Sequence, residues 1–136
     1  MNGELPAELF WLTLTALLTA LLWIPYILRH IAEAGLIPAL TYQSLDTTPT
    51  ATWGKRAKRA HYNAVENLAV FAPLALTVFV LGAGSTTTAT ACAVYFFARL
   101  VHYPVAVFAV PFLRTLSFAV GMLAQVVLAL AILGIL

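Results

Sequence analysis

Charged side chains are scarce in this sequence: they make up 9% of its 136 residues, whereas hydrophobic residues make up 62%. Because a soluble domain carries roughly 25% charged residues, this composition excludes a water-facing surface over most of the chain. A helix needs about 20 apolar residues to cross a bilayer, and the chain has room for four. We therefore expect an all-α, multi-pass integral membrane protein in contact with lipid.

Other absences narrow the possible functions. Cysteine occurs once, as Cys92 in a predicted span, so no intramolecular disulfide can form, and a small buried hydrophobe is the simplest interpretation. No cluster of Cys, His and carboxylates has metal-ligand spacing, so we predict no metal site. The sequence contains no glycine-rich phosphate loop and no Ser-His-Asp constellation. Its basic cluster is too short to indicate nucleic-acid binding.

Four apolar runs predict a transmembrane four-helix bundle, with residues 1–136 forming one domain. The predicted spans cover approximately residues 9–28, 61–81, 89–110 and 114–136. The connection at 31–53 contains glycine, prolines and threonines, which favour an irregular surface loop. Within it, the segment LIPALTYQSL is expected to lie along the membrane interface. Pro25 should kink the end of the first helix, and Pro73 should bend the second.

The basic residues are distributed asymmetrically. Alternating spans put all of them at one end of the bundle, or in that half of the membrane: Arg29, Lys55, Arg56, Lys58, Arg59, Arg99 and Arg114. The positive-inside rule then makes this end cytoplasmic and puts both termini on the opposite side. For Lys55, Arg56 and Lys58, setting the topology is a sufficient explanation.

Several polar side chains lie inside the predicted spans. Arg59, Asn63 and Glu66 are four and then three residues apart, so they share one stripe of the second helix. Arg99 lies within the third helix, and His102 follows one turn later on the same face. A lipid-facing Arg near the bilayer centre costs roughly 2.5–3.5 kcal/mol. We therefore expect these side chains to face the bundle interior or a wet cavity.

Two arrangements of these polar groups are open. In one, Arg99 and Glu66 form a buried ion pair that holds helices together. In the other, one pocket open to the cytoplasm is lined by Arg29, Arg59, Asn63, Glu66, Arg99, His102 and Arg114. A single carboxylate cannot neutralise so many cations. Such a pocket is net positive and favours an anionic ligand.

Together, these residues resemble the membrane-associated proteins of eicosanoid and glutathione metabolism, the MAPEG family. The most specific part is Arg59-Ala-His-Tyr-Asn63-Ala-Val-Glu66, which is similar to the family's motif of Arg, Asn and Glu on the second helix. Weaker matches are Arg29, the pair Arg99 and His102, and Arg114 with Thr115. The resemblance covers nearly the whole chain.

The resemblance implies a homotrimer that binds glutathione between adjacent subunits near the cytoplasmic face. In the family, the Arg, Asn and Glu of the second helix bind the tripeptide. The chemistry agrees: Arg29 and Arg59 suit the two carboxylates of glutathione, because guanidinium groups bind carboxylates bidentately. Glu66 suits the ammonium group, and the Asn63 amide can both donate and accept hydrogen bonds.

The resemblance also implies that the Arg opening the fourth helix, here Arg114, stabilises the thiolate. A nearby cation lowers the pKa of a thiol, and the free amides of a helix start favour an anion. Thr115 can add a hydrogen bond to the sulfur. Two positions depart from the family pattern: Phe118 replaces a tyrosine of several members. Tyr62, which we include in the ligand-binding set, stands where some members have a second Arg.

The expected function is a membrane transferase or peroxidase that uses glutathione, or another thiol, on lipophilic electrophiles or hydroperoxides that enter from the bilayer. One alternative is a non-catalytic, MAPEG-like accessory subunit of a larger membrane complex, which Phe118 favours. Another is a membrane protein that binds a lipid headgroup or a different anion in the same basic pocket.

Overall fold

The computed structural model describes residues 3–41 and 45–136, and within these ranges all regular structure is helical. The helices are α1 (Ala7–Leu21), α2 (Ile24–Ala34), α3 (Leu36–Leu40), α4 (Thr52–Val80), α5 (Thr86–Val107) and α6 (Leu113–Ile132). Four segments are long and apolar enough to cross a membrane: α1 with α2, then α4, α5 and α6. The predicted all-α architecture with four membrane spans is confirmed.

The first span is broken near its end. α1 ends at Leu21 and α2 begins at Ile24, with Pro25 in the first turn of α2. Proline lacks an amide hydrogen, and its ring clashes with the preceding turn. The Tyr103 hydroxyl of α5 donates a 3.0 Å hydrogen bond to the Leu22 carbonyl at the break. The helix is therefore interrupted where Pro25 is expected to kink it, and the interruption divides the span into two helices.

α4 is longer than the apolar run that predicts it, because it begins at Thr52 instead of near His61. Its early turns bury small residues at intervals of three and four: Gly54, Ala57, Ala60 and Ala64. This spacing is helical, and small residues let neighbouring helices approach closely. The basic cluster, which the hydropathy pattern places before the second helix, therefore lies on its first turns.

The predicted surface loop contains a short helix. α3 follows Gly35, whose φ of 89° is readily adopted only by glycine. Of the segment LIPALTYQSL, which was expected at the membrane interface, the first five residues form α3. Residues 42–44 of that segment lie outside the described residues.

α4 and α5 are the central pair of the bundle, since α1 and α6 pack against both of them and they pack against each other. In the main core, the Phe71 ring of α4 stacks on the Tyr95 ring of α5, with centroids 3.9 Å apart. Cys92 and Leu128 are fully buried in the same cluster, as expected for Cys92. Phe71 lies about three turns along α4 from Arg59. The tight apolar packing is therefore far from the basic end, where open space remains.

Candidate ligand-binding site

A cavity of about 240 Å³ lies at the basic end, among α4, α5 and α6. We call it the inner cavity. It is lined by Arg56, Arg59, Ala60, Asn63, His102, Ala106, Arg114, Thr115 and Phe118. Three of these side chains are guanidinium groups and none is a carboxylate. The inner cavity is therefore positively charged and suited to an anion.

Buried polar groups lie in and next to the deep wall of the inner cavity: His102 lines it, and Arg99 is bonded to the lining residue Asn63. His102 is only 5% exposed, and its Nδ1 atom has no hydrogen-bond partner among the described residues. Arg99, one turn earlier on α5, is 4% exposed and donates a 2.7 Å hydrogen bond from Nη2 to Asn63 Oδ1. Its Nε atom also lacks a partner within the described part of the chain. Buried polar groups normally have partners, so this wall has unused capacity to bind a ligand or water.

A wider cleft of about 460 Å³ lies on the other side of Arg59 and Asn63. We call it the outer cleft. It is lined by Thr48, Lys55, Lys58, Arg59, Tyr62, Asn63 and Glu66. Tyr62 and Glu66 are exposed on the outward face of α4. Arg59 and Asn63 thus form a wall common to the two spaces, and Glu66 supplies the carboxylate that the inner cavity lacks.

The alternative of a buried Arg99–Glu66 ion pair does not hold in the structure. Arg99 is buried and bonded to Asn63, whereas Glu66 is exposed. Among the described residues, the ion pairs are Arg29–Glu33 and Lys58–Asp46, both at 3.4 Å. The spacing of Arg59, Asn63 and Glu66 correctly puts them on one stripe, but Glu66 points away from α5.

Lys58 fixes one edge of the outer cleft. Its Nζ atom lies 2.8 Å from Thr48 Oγ1, 3.1 Å from Thr47 Oγ1 and 3.4 Å from Asp46 Oδ1. Hydrogen bonds from the Thr48 side chain and amide, with Lys58 nearby, lower the pKa of Asp46 to about 2. Asp46 is therefore ionised at neutral pH, and Lys58 ties the long connection to α4.

Arg29 and Arg99 are the predicted site residues that line neither the inner cavity nor the outer cleft. Arg99 is bonded to Asn63 of the cavity lining, whereas Arg29 is bonded elsewhere. Its Nε atom lies 3.4 Å from Glu33 Oε1. The Glu33 carboxylate also accepts hydrogen bonds of 2.8 and 3.0 Å from the amides of Thr50 and Ala51, just before α4. Within one chain, Arg29 therefore helps to anchor the start of α4.

Arg114 and Thr115 lie in the first turn of α6, and both line the inner cavity. No side-chain hydrogen bond caps this helix. The first amides of a helix have no intrahelical acceptor, and they carry a partial positive charge. The predicted thiolate-binding pair thus lies where an anion is favoured by a guanidinium, a hydroxyl and a helix N-terminus together.

Besides Ala60 and Ala106, two large side chains of the inner cavity are absent from the pocket that the sequence predicts. Arg56 was explained by membrane topology alone, yet it lines the cavity, and its Nε donates a 2.7 Å hydrogen bond to the Val107 carbonyl. Phe118 replaces a tyrosine of several family members and so lacks its hydroxyl, and the Phe118 ring forms part of the cavity wall. The helical spacing of Arg56 and Arg59 was the available signal, because three residues apart on a helix means the same side.

The tyrosines near Arg99 do not supply the hydroxyl that Phe118 lacks. The Tyr95 ring is stacked in the apolar core, and the Tyr103 hydroxyl is bonded to the Leu22 carbonyl. Neither residue lines the inner cavity.

These features define a class: helical membrane proteins of four spans with a cationic cavity at one end. The family model for the MAPEG family matches residues 9–134 of the chain. The chain belongs to the MAPEG family, and so to membrane proteins of glutathione and eicosanoid metabolism. Comparison with curated proteins and with solved structures gives no match.

Proposed function

We propose that this protein binds glutathione, or a thiol of similar charge, and transfers it to lipophilic electrophiles or uses it to reduce lipid hydroperoxides. The observation that carries the proposal is the inner cavity: three guanidinium groups and no carboxylate surround it, next to an uncapped helix start. The inner cavity has room for a small anion. Its positive charge is balanced when an anion binds there.

The two adjacent spaces, which share Arg59 and Asn63, suit the different groups of glutathione. Arg59 can bind a carboxylate bidentately, while Asn63 can donate and accept. Glu66 lines the outer cleft and suits the ammonium group. The thiol end then belongs in the inner cavity, where Arg114 and Thr115 lie.

The chemistry starts from the thiolate, which is the nucleophilic form of a thiol. The Arg114 guanidinium and the α6 amides stabilise its negative charge. In conjugation, the sulfur forms a bond to the electrophilic carbon, and the leaving group departs with its electron pair. In peroxide reduction, the sulfur attacks the terminal peroxide oxygen and the O–O bond breaks. The alkoxide leaves and takes a proton from water to become the alcohol, while the terminal OH stays on sulfur as a sulfenic acid. A second thiol then converts the sulfenic acid to a disulfide and water.

A homotrimer is part of the proposal. Tyr62 and Glu66 lie on the outward face of α4, and they are flanked by exposed Val65 and Val70. Exposing the Glu66 carboxylate to lipid within the membrane costs free energy. A second copy that covers this face of α4 removes that cost. Arg29, on the same end of the bundle, then acts across the subunit boundary as a further carboxylate ligand.

The proposed orientation has the basic end in the cytoplasm and both termini on the other side. All the basic residues of the sequence support it through the positive-inside rule. Glutathione then enters from the cytoplasm, and the lipophilic co-substrate enters from the bilayer.

The test uses the full chain in lipid nanodiscs. We expect calorimetry to show glutathione binding, and we expect turnover with a hydrophobic aryl halide or a lipid hydroperoxide. Arg114→Ala should keep glutathione affinity within about threefold and reduce turnover by roughly a hundredfold, the scale of losing one preorganised charge-stabilising group. Lys55→Ala is the control for turnover: Lys55 lines the outer cleft and not the inner cavity, so its loss should change glutathione affinity at most and leave turnover at saturating glutathione unchanged. Absence of glutathione binding in both detergent and nanodiscs would contradict the proposal.

One observation favours a second candidate, a non-catalytic accessory subunit. Phe118 presents a ring to the inner cavity where several family members have a hydroxyl. For this candidate, wild-type protein binds glutathione without turnover, and mild-detergent purification recovers a stoichiometric partner. Turnover that depends on Arg114 excludes it.

A further inference from the structure

The link between α5 and α6 has an unusual backbone. Ala109 has φ of 54° and Phe112 has φ of 65°, both in the left-handed region that residues with a Cβ atom seldom adopt. Phe112 is 88% exposed, so its own side chain does not hold this conformation by packing. Such conformations persist where the surrounding structure enforces them.

Ala109 ends α5 in the position that glycine usually occupies. The Val110 amide donates a 2.9 Å hydrogen bond to the Val105 carbonyl, which closes the turn after the helix. The chain then reaches Phe112, directly before α6 begins at Leu113. The geometry of this short link therefore sets where the first turn of α6 lies.

Arg56 binds the start of this link from another helix. Its Nε donates a 2.7 Å hydrogen bond to the carbonyl of Val107, the last residue of α5. The last carbonyls of a helix lack intrahelical partners, and a cation is favourable there. Beside this bond, Ala57 and Val107 are buried in one small cluster with Tyr26. α4 thus holds the end of α5 by a charge-assisted hydrogen bond and by packing.

The same guanidinium faces the proposed thiolate site. Arg56 lines the inner cavity, and it also lines a space of about 230 Å³ beneath the link together with Pro111, Phe112, Arg114 and Thr115. One residue therefore contacts the end of α5 and borders both spaces that meet Arg114.

We infer that Arg56 is a positioning residue: by binding the Val107 carbonyl it fixes the α5–α6 link and so holds Arg114 and Thr115 against the inner cavity. The catalytic part of this inference rests on the proposed function. The structural role of Arg56 in the link can be measured separately. Lys55, the neighbouring cation, borders only the outer cleft and has no part in the link.

The catalytic test compares Arg56→Met, Arg56→Lys and the control Lys55→Met in nanodiscs. Ultraviolet absorbance of the bound thiolate is followed against pH, together with glutathione affinity and kcat. Misplacement of a catalytic group by about 1 Å can cost up to a hundredfold. We expect Arg56→Met to raise the pH midpoint of thiolate formation and to lower kcat by roughly ten- to a hundredfold. Glutathione affinity should change less than threefold.

Arg56→Lys keeps a cation that can donate to the Val107 carbonyl, so it should restore most of kcat. Lys55→Met should leave the midpoint unchanged. Equal losses of affinity and kcat in Arg56→Met would show a ligand contact and overturn the inference. So would a pH profile that matches that of Lys55→Met.

The structural test needs no glutathione. Amide hydrogen exchange over residues 108–116 should be faster in Arg56→Met than in wild type, and unchanged in Lys55→Met. If wild type binds no glutathione, the proposed function fails while this comparison still decides the role of Arg56. Identical exchange in the two variants would overturn it.

Discussion

Asn63 contributes both to the candidate site and to the stability of the bundle. Its Oδ1 accepts the hydrogen bond of Arg99, and its side chain lines both the inner cavity and the outer cleft. Arg99 remains charged, because its guanidinium does not lose its proton in proteins. Asn63 is its hydrogen-bond partner in the described part of the chain, so the amide offsets part of the cost of burying a cation.

Replacing Asn63 with alanine should therefore destabilise the protein. Hydrogen bonds to charged groups contribute about 1.5–3 kcal/mol, and we expect a loss of that size in the free energy of unfolding. Thermal unfolding in detergent measures it. Asn67→Ala is the control one turn along α4, since among the described residues its side chain donates its hydrogen bond to the Asn63 carbonyl and not to Arg99. Equal shifts in the two variants would show that the Arg99 bond contributes nothing.

For single residues, the sequence predicts which polar side chains lie inside the membrane but not the direction in which each one points. The spacing of Arg59, Asn63 and Glu66 predicts a common stripe, and the structure has one. The rotation of α4 about its axis depends on the alanines that it buries against its neighbours. Glu66 therefore faces outward, and Arg99 bonds an amide instead of a carboxylate.

Among the helices, the start of α4 shows how closely the chain is packed. A Cβ atom added at Gly54 would lie 2.8 Å from the Cβ and Cγ atoms of Pro49. Pro49 belongs to the connection that Glu33 fastens to α2 through Thr50 and that Lys58 fastens to α4 through Thr48. The absence of a side chain at Gly54 is therefore what lets this connection close over the helix.

We expect Gly54→Ala to destabilise the protein by about 1–3 kcal/mol, because overpacking forces the neighbouring backbone to move. Gly121→Ala is the matched control: it is also helical, and its nearest contacts would be 3.7 Å from the Ala98 and Tyr95 side chains. That change should be neutral or stabilising by up to about 1 kcal/mol, since alanine favours a helix over glycine. Denaturant unfolding in mixed micelles compares them. A stable Gly54→Ala variant would show that the connection is loosely held.

Helix boundaries were predicted less well than helix number. Hydropathy locates the apolar part of a span, so it missed the polar turns at the start of α4 from Thr52. The break after Leu21 was foreseen from Pro25, whose chemistry is local. The hydrogen bond from Tyr103 that accompanies the break joins residues far apart in sequence. No local pattern could reveal it.

For the whole molecule, the four spans and the gathering of cations at one end followed from composition and charge alone. The place of Arg29 did not, because its interaction with Glu33 depends on how the long connection folds back. The surface of a single chain also leaves the proposed trimer as a prediction, with the outward face of α4 as its expected contact.

Two exposed valines test that contact. Val70 of α4 is 51% exposed and Val101 of α5 is 48% exposed. If the α4 face meets a second copy, Val70→Trp introduces a ring into a close helix contact and should dissociate the assembly. Val101→Trp, facing lipid, should leave it intact. Native mass spectrometry from detergent should give the mass of three chains for wild type and Val101→Trp. Dissociation by Val101→Trp alone would place the interface on α5.

The depth of His102 has an electrical consequence. His102 precedes the end of α5 at Val107 by five residues, about 7.5 Å at 1.5 Å per residue, or roughly a quarter of a 30 Å hydrocarbon core. In the proposed orientation, an anion that reaches this wall moves from the negative side of an energised membrane toward the positive side. Moving one charge through the full potential is worth about 2.3 kcal/mol per 100 mV. Crossing a quarter of the potential therefore changes affinity roughly threefold per 100 mV for each net negative charge. In proteoliposomes, a potassium diffusion potential that makes the compartment at the basic end negative should therefore lower the KM for glutathione added on that side. The comparison is with the same vesicles after an ionophore collapses the voltage. An unchanged KM would place the bound anion outside the field.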